Sequence, residues 1–265
     1  MTLKEKYGSW ALITGASSGI GEGFAKRLAS ENMNLILVAR REDRLKKLSN
    51  ELKGKYNVNI IVAPIDLSKE NFMEELKKFV GDKEVGMLIN NAGFGFAGEF
   101  VKSDVDQQAD MIRVNCIAPT LLTHHYVQQM KERKKGAIIF LGSLVAYQPT
   151  PLTTTYSATK AFNLFMSEGL WYELRDSNID ILALNPGGTD TEFQQKANTS
   201  SGPAPRTVEQ VVSTAMKSLG RKISVVDGSY NKLLSFIPRI VTRKSIVKLA
   251  GRVRKKYYTS LSITE

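Results

Sequence analysis

The sequence predicts an α/β protein built on a doubly wound parallel sheet of seven strands, with a basic helical extension at its C-terminal end. Short apolar runs alternate with longer amphipathic ones through residue 226, and the short runs carry almost no polar face, as strands covered on both sides require. Charge marks off the extension. Nine of the 37 Lys and Arg residues fall between 228 and 264 with no acidic residue among them, and the remaining 28 face 26 acids. The formal charge of +11 therefore belongs to the tail and not to the fold.

In chain order the strands are expected at 9–14, 34–40, 58–65, 85–90, 136–143, 179–185 and 223–226. Apolar residues recur at helical spacing in 21–31, 42–53, 69–80 and 156–175, placing helices between strands as right-handed crossovers. The stretch 193–207 is rich in Gly, Pro, Ser and Asn, the composition of a functional lid or a loose segment. At 265 residues the chain reads as one domain, with a core over 8–230 and the helical tail over 231–265. The uncharged run 136–159 contains Pro149, Pro151 and several hydroxyl side chains and divides into a strand and a loop, so it is not a membrane span. The first residues lack the apolar centre of a secretory leader, and a lone cysteine, Cys116, suits a reducing compartment; the expectation is a cytoplasmic protein. With only His124 and His125 besides, no metal site is expected, and these three residues read as packing or surface positions.

The first strand runs directly into Gly15-Ala-Ser17-Ser18-Gly19-Ile20-Gly21, followed by a helical pattern. Glycines allow a tight turn and close backbone approach, and the helix N-terminus offers unpaired N–H groups, so these residues are candidates to hold a pyrophosphate. The second strand ends Val38-Ala39-Arg40-Arg41. A dinucleotide with a free ribose hydroxyl prefers an acid there, whereas a 2′-phosphate prefers a guanidinium, so NADP(H) is the expected cofactor with Arg40 as its ligand. Glu42 and Asp43 follow in a first helical turn, where acids are ordinary.

Together with that turn, Asn90-Asn91-Ala92-Gly93, Asn115, Ser143, Tyr156-xxx-Lys160 and Pro186-Gly187, in this order and spacing, resemble the single-domain short-chain dehydrogenase/reductases over about residues 8–230. The resemblance implies a Rossmann-type fold and a hydride-transfer reaction in which Asn115, Ser143, Tyr156 and Lys160 are catalytic. It also implies that Asp66 and Leu67 meet the adenine, that Asn91, Ala92 and Gly93 line the crevice, and that Pro186, Gly187, Thr189 and Thr191 meet the nicotinamide and phosphates. Tyr156 and Lys160 are expected to bind the dinucleotide as well as act on substrate. As an alternative use, Asp66 suits the N-cap of the following helix.

Physics supports the pair independently. Tyr156 and Lys160 are four residues apart on one helical face. An ammonium about 4 Å from a phenol, at an effective dielectric near 20, contributes about 4 kcal/mol, or about three pKa units. The expectation is that Lys160, with an oxidised nicotinamide ring, makes Tyr156 acidic enough to protonate a carbonyl as hydride arrives. Pro119 lies four residues after Asn115 and has no N–H, so the Asn115 carbonyl loses its helical donor and must find water or another donor. In the family the matching carbonyl holds a proton-relaying water; packing alone is the other explanation.

Adjacency to the catalytic strand ends nominates Phe94, Phe96, Leu144, Ala146, Tyr147, Leu152 and Phe193 as substrate walls. Their apolarity suits a fatty or ring-bearing ketone. The expected activity is NADPH-dependent reduction of a 3-oxoacyl thioester on acyl-CoA or acyl carrier protein, the tail resembling the 3-oxoacyl reductase-like branch. A steroid, diketone or other apolar ketone is the alternative, as is a non-catalytic dinucleotide-sensing protein. The tail has apolar residues at Leu233, Phe236, Ile237, Ile240, Ile246, Leu249, Val253 and Tyr257. That spacing fits either a packed helix or a basic surface for anionic partners, a membrane surface included, but not nucleic acid, because no aromatics interleave with the charges. The resemblance implies a dimer or tetramer.

Overall fold

The computed structural model describes residues 1–197 and 205–261, without the side chains of 195, 196 and 256–261. A short capped helix, α1 (Leu3–Tyr7), leads into β1 (Trp10–Thr14). Then follow α2 (Gly19–Ser30), β2 (Asn34–Ala39), α3 (Glu42–Lys55), β3 (Ile60–Pro64), α4 (Phe72–Val80) and β4 (Val85–Asn90). The second half contains α5 (Val105–Ile112), α6 (Ala118–Arg133), β5 (Gly136–Leu141), α7 (Thr154–Glu173), β6 (Ile179–Asn185), α8 (Phe193–Lys196), α9 (Val208–Ser218) and β7 (Ser224–Val226). The tail forms α10 (Ser229–Phe236) and α11 (Arg243–Leu261).

All seven strands are parallel, in the order β3-β2-β1-β4-β5-β6-β7. All seven expected strands are present, several trimmed at their ends. The order reverses between β1 and β4, which opens a crevice outside their carboxyl ends.

Period-two alternation sends neighbouring strand residues into opposite layers. On one face Ile13, Leu37, Ile89 and Leu182 pack with Phe24 and Leu28 of α2, Leu45 of α3 and Val211 of α9. On the other, Leu12, Ile36, Leu88 and Phe140 pack with Phe72 and Leu76 of α4 and Leu122 and Tyr126 of α6. Both layers are sealed, which is why the strands read as uninterrupted apolar runs.

Between α5 and α6 the helix widens into a π turn at Arg113–Ile117, and the N–H of Ala118 reaches the carbonyl of Arg113, five residues back. The irregularity around Asn115 thus sits beside Pro119, which supplies no N–H of its own. Of the stretch expected to be irregular, 193–196 is helical, and 198–204 lies outside the described residues.

Phe24 is fully buried between α2 and the sheet. Phe24→Ala is expected to destabilise the protein by about 3–5 kcal/mol, read from the midpoint of urea unfolding at unchanged slope.

Candidate active site

The crevice is floored by the glycine turn between β1 and α2. Gly15 takes a left-handed φ of +67°, and a Cβ there would sit 2.8 Å from Asn91 Nδ2. A Cβ on Gly21 would lie 2.3 Å from the Gly15 carbonyl oxygen, so α2 can start this close to β1 only with glycine. Asn91 Nδ2 donates to Thr14 O at 2.8 Å, and Thr14 Oγ1 accepts from the N–H groups of Asn91 and Ala92. These bonds tie the ends of β1 and β4 across the switch point. At the start of α2, the Ser18 hydroxyl caps none of the helix N–H groups. Such a cradle fits a pyrophosphate.

Gly15, Ser17, Ser18, Gly19 and Ile20 line a cleft of about 980 Å³. Gly21 lies beneath it as a packing position, not a wall. At the end of β2 both Arg40 and Arg41 line the cleft, but Arg40 is exposed. Arg41 donates from Nη2 to the hydroxyls of Ser17 and Ser18, at 3.0 and 2.8 Å. Arg41 also pairs with Glu192 at 3.1 Å, and Arg44 pairs with the same carboxylate at 2.5 Å. The cation joined to the glycine turn is therefore Arg41, while Arg40, the expected phosphate ligand, stands beside it in the cleft wall.

The remaining cofactor candidates assemble around the same cleft: Asp66, Leu67, Asn91, Ala92, Gly93, Pro186, Gly187, Thr189 and Thr191 all line it. Asp66 Oδ1 accepts from the N–H and hydroxyl of Ser68 in a local turn, whereas α4 begins only at Phe72 with Asn71 before it, so Asp66 is not its N-cap. Thr191 packs its methyl over Gly19, 3.1 Å from where a Cβ would be.

Ser143, Tyr156 and Lys160 meet at the carboxyl edge of β5, all lining the cleft. The Ser143 hydroxyl accepts from the N–H of Val145 at 3.4 Å and acts on the Tyr156 phenol. Lys160 is buried and donates from Nζ to the Leu141 carbonyl at 2.8 Å, with its amine 5.7 Å from the centre of the Tyr156 ring. Asn115 is fully buried behind this group. Its side chain accepts from the N–H of Phe94 and donates to Phe94 O and Thr159 Oγ1, clamping the loop after β4 to α7. This side-chain role was not legible in the sequence, which drew attention only to the backbone carbonyl.

The acidification expected at Tyr156 does not occur in the protein alone. Burial pushes the phenol up to about 12, against the opposing effects of the Ser143 hydroxyl and, more weakly, the Arg254 cation. Burial also pushes Lys160 down to about 8. The lysine's desolvation weakens the charge that was to act on the tyrosine, and its one strong bond goes to a carbonyl. At neutral pH the phenol is protonated.

Phe94, Phe96, Leu144, Tyr147 and Phe193 line the cleft, and the Phe193 ring lies 5.5 Å from that of Tyr156. Two expected wall residues do not. Leu152 takes a left-handed φ of +63° and offers its carbonyl to the N–H of Gly98; Ala146 is buried against Leu164 and Ala183. In their place stands the tail, whose apolar spacing was visible but whose destination was not. Leu234 of α10, Ile237, and Ile246, Ala250 and Arg254 of α11 line the cleft. Leu233, Phe236 and Ile240, expected to belong to the same apolar face, are exposed because the chain turns at Ile237–Arg239 and separates the two helices. The side chain of Tyr257 lies outside the described residues.

A family model described as short chain dehydrogenase matches residues 9–202. A 7beta-hydroxysteroid dehydrogenase of Clostridium sardiniense is 33% identical over 96% of this chain and 98% of its own length. A very-long-chain 3-oxoacyl-CoA reductase of Rattus norvegicus is 31% identical over 95% of this chain and 83% of its own. A solved short-chain dehydrogenase from Sphingobium yanoikuyae, in complex with NADPH, superposes with a TM-score of 0.77 at 33% identity, covering 82% of this chain and 86% of that one.

Arg41→Ala is expected to weaken binding of NADPH about 10- to 100-fold while leaving NADH within about twofold, the range of a charge-assisted hydrogen bond to phosphate. Direct titration of both dinucleotides into the protein reads the difference.

Proposed function

The chain belongs to the short-chain dehydrogenase family of oxidoreductases, and on that premise we propose that it is an NADP(H)-dependent enzyme interconverting a bulky, ring-bearing apolar ketone and its secondary alcohol. The observation that carries this reading is the joint placement of Ser143, Tyr156 and Lys160 at one end of the cleft and Arg41 on the glycine turn at the other. NADPH, when bound, supplies the hydride. The glycine turn, Arg41 and the 186–191 segment would hold it.

Tyr156, protonated at neutral pH, donates its hydroxyl proton to the carbonyl oxygen. Ser143 orients the same oxygen by hydrogen bonding. Lys160, fixed on Leu141 O, would hold the ribose of the dinucleotide and compensates the phenolate that proton donation leaves behind. Asn115 keeps the Phe94 loop and α7 in register around them. The complete catalytic set argues against a purely dinucleotide-sensing role.

A ring-bearing substrate is favoured by the roomy cleft that Ile246 and Ala250 help to line, and by the likeness to a hydroxysteroid dehydrogenase along nearly the whole chain, tail included. A 3-oxoacyl thioester is the second reading, favoured by the likeness to the 3-oxoacyl-CoA reductase and by the exposed basic side chains of α11. No helix among the described residues is long and apolar enough to cross a membrane. Exposed Phe165, Trp171 and Tyr172 on α7, with Leu121 on α6, support association into a homo-oligomer.

Tyr156→Phe is expected to lower kcat for NADPH-dependent reduction of a steroid ketone by at least about 100-fold while NADPH binding stays within a few-fold. A variant with near-normal turnover would remove the proton-donor role. Phe165→Glu places a charge on a side chain that is 70% exposed. It is expected to shift the protein to a lower oligomeric state in size-exclusion chromatography with scattering detection.

A further inference from the structure

Six basic side chains are described on α11, and five of them, Arg243, Lys244, Lys248, Arg252 and Lys255, point to solvent. The sixth, Arg254, does not. It follows buried Ile246 and Ala250 at intervals of four residues, so it lies on the inward face of the helix, and it lines the cleft. Among the described residues no carboxylate pairs with it, and its Nε is buried without a hydrogen-bond partner.

A guanidinium withdrawn from water without a carboxylate partner is unfavourable in isolation. Burial accordingly lowers the Arg254 pKa, offset in part by the ionisable Tyr156 phenol across the cleft. Helix α11 has five outward positions where an arginine meets water. One held inward and unpaired at the substrate end has the character of a ligand-binding group. A single planar fork in an otherwise apolar wall matches one carboxylate, and it is poorly matched to a polyphosphate, which calls for several cations.

We propose that Arg254 is a specificity-determining residue that pairs with a carboxylate carried by the apolar ketone, so that the preferred substrate is a bulky keto acid. The inference rests on the reading of the protein as a reductase of bulky ketones and narrows it. It also divides the labour of the tail: Ile246 and Ala250 take the hydrophobic body, and Arg254 takes the charge.

The test uses the full-length protein with NADPH and a matched pair of probes, a 7-oxosteroid bearing a carboxylic acid side chain and its methyl ester. Wild type is expected to favour the acid over the ester by roughly 10- to 100-fold in kcat/KM, the value of one charge-assisted pair. Arg254→Gln is expected to erase that preference by raising KM for the acid at least about 10-fold more than KM for the ester, and Arg254→Lys to restore part of it. Equal turnover of acid and ester by wild type, or an equal loss on both in Arg254→Gln, would overturn the proposal, the second outcome assigning Arg254 to helix packing or to Tyr156. Calorimetric titration of the same pair in the presence of NADP⁺ separates the two readings. If neither probe is reduced, the bulky-ketone assignment fails, and the ratio of affinities for acid and ester still decides the role of Arg254.

Discussion

The crevice exists because α2 begins closer to β1 than any side chain would allow. Gly21 stands against the carbonyl of Gly15, and the Asn91 amide closes the remaining space by bonding back to Thr14 and Gly15. This contact does two things at once. It aims the free N–H groups of α2 at the place where the sheet order reverses, and it welds the ends of β1 and β4 so that the loop after β4 has a fixed origin. Gly93 and Phe94 follow directly, and Phe94 is then fixed to Asn115 and through it to α7. The phosphate end and the chemical end of the cleft are thus parts of one hydrogen-bonded chain and not separate sites on a common scaffold.

Electrostatics at the chemical end is decided by burial. A lysine one helical turn from a tyrosine suggests an acidified phenol when the two are considered as isolated charges in a medium of moderate dielectric. In the folded protein both groups are desolvated, and desolvation disfavours the charged form of each, raising the phenol and lowering the ammonium. The result is a neutral, well-held proton donor at neutral pH, which is the state that reduction of a carbonyl needs at its start. The reverse reaction needs the phenolate, and the additional positive charge that favours it has to come from what binds in the cleft.

The sheet was legible because its signal is local. Seven apolar runs separated by helical patterns leave few arrangements once crossovers must be right-handed, and the glycine turn announces where the first of them ends. Tyr156 and Lys160 were legible for the same reason, since four residues on a helix fix their common face. What could not be read depended on direction in space. Arg40 and Arg41 differ by one position at a strand end, and only the course of the chain into α3 decides that Arg41 reaches Ser17 and Ser18. Leu152 adjoins the catalytic strand end in sequence, yet it takes a left-handed backbone, bonds to Gly98 and does not line the cleft. Asn115 carried a backbone signal in Pro119, but its side-chain clamp on a residue 21 positions earlier left no local trace.

The tail is where local and global information diverge most. Its charge pattern describes a solvated basic helix, and for five of the six described basic side chains of α11 that is what the fold delivers. The inward face depends on a long-range event, the docking of α11 near the Pro151 loop, with Gly251 set against the proline side chain. Once docked, the helix supplies both an apolar wall and one desolvated cation to a site whose chemistry is already complete on β5 and α7. The reacting groups and the groups proposed to select the substrate then lie on elements far apart in sequence. On the proposed reading, substitutions at the apolar positions of α11 change which ketone fits while the proton donor stays in place, whereas Arg254 also acts on the Tyr156 phenol; such a separation lets one catalytic arrangement serve many substrates. The basic tail is on this view part of the binding cavity, and its positive surface is what remains after one side has been folded inward.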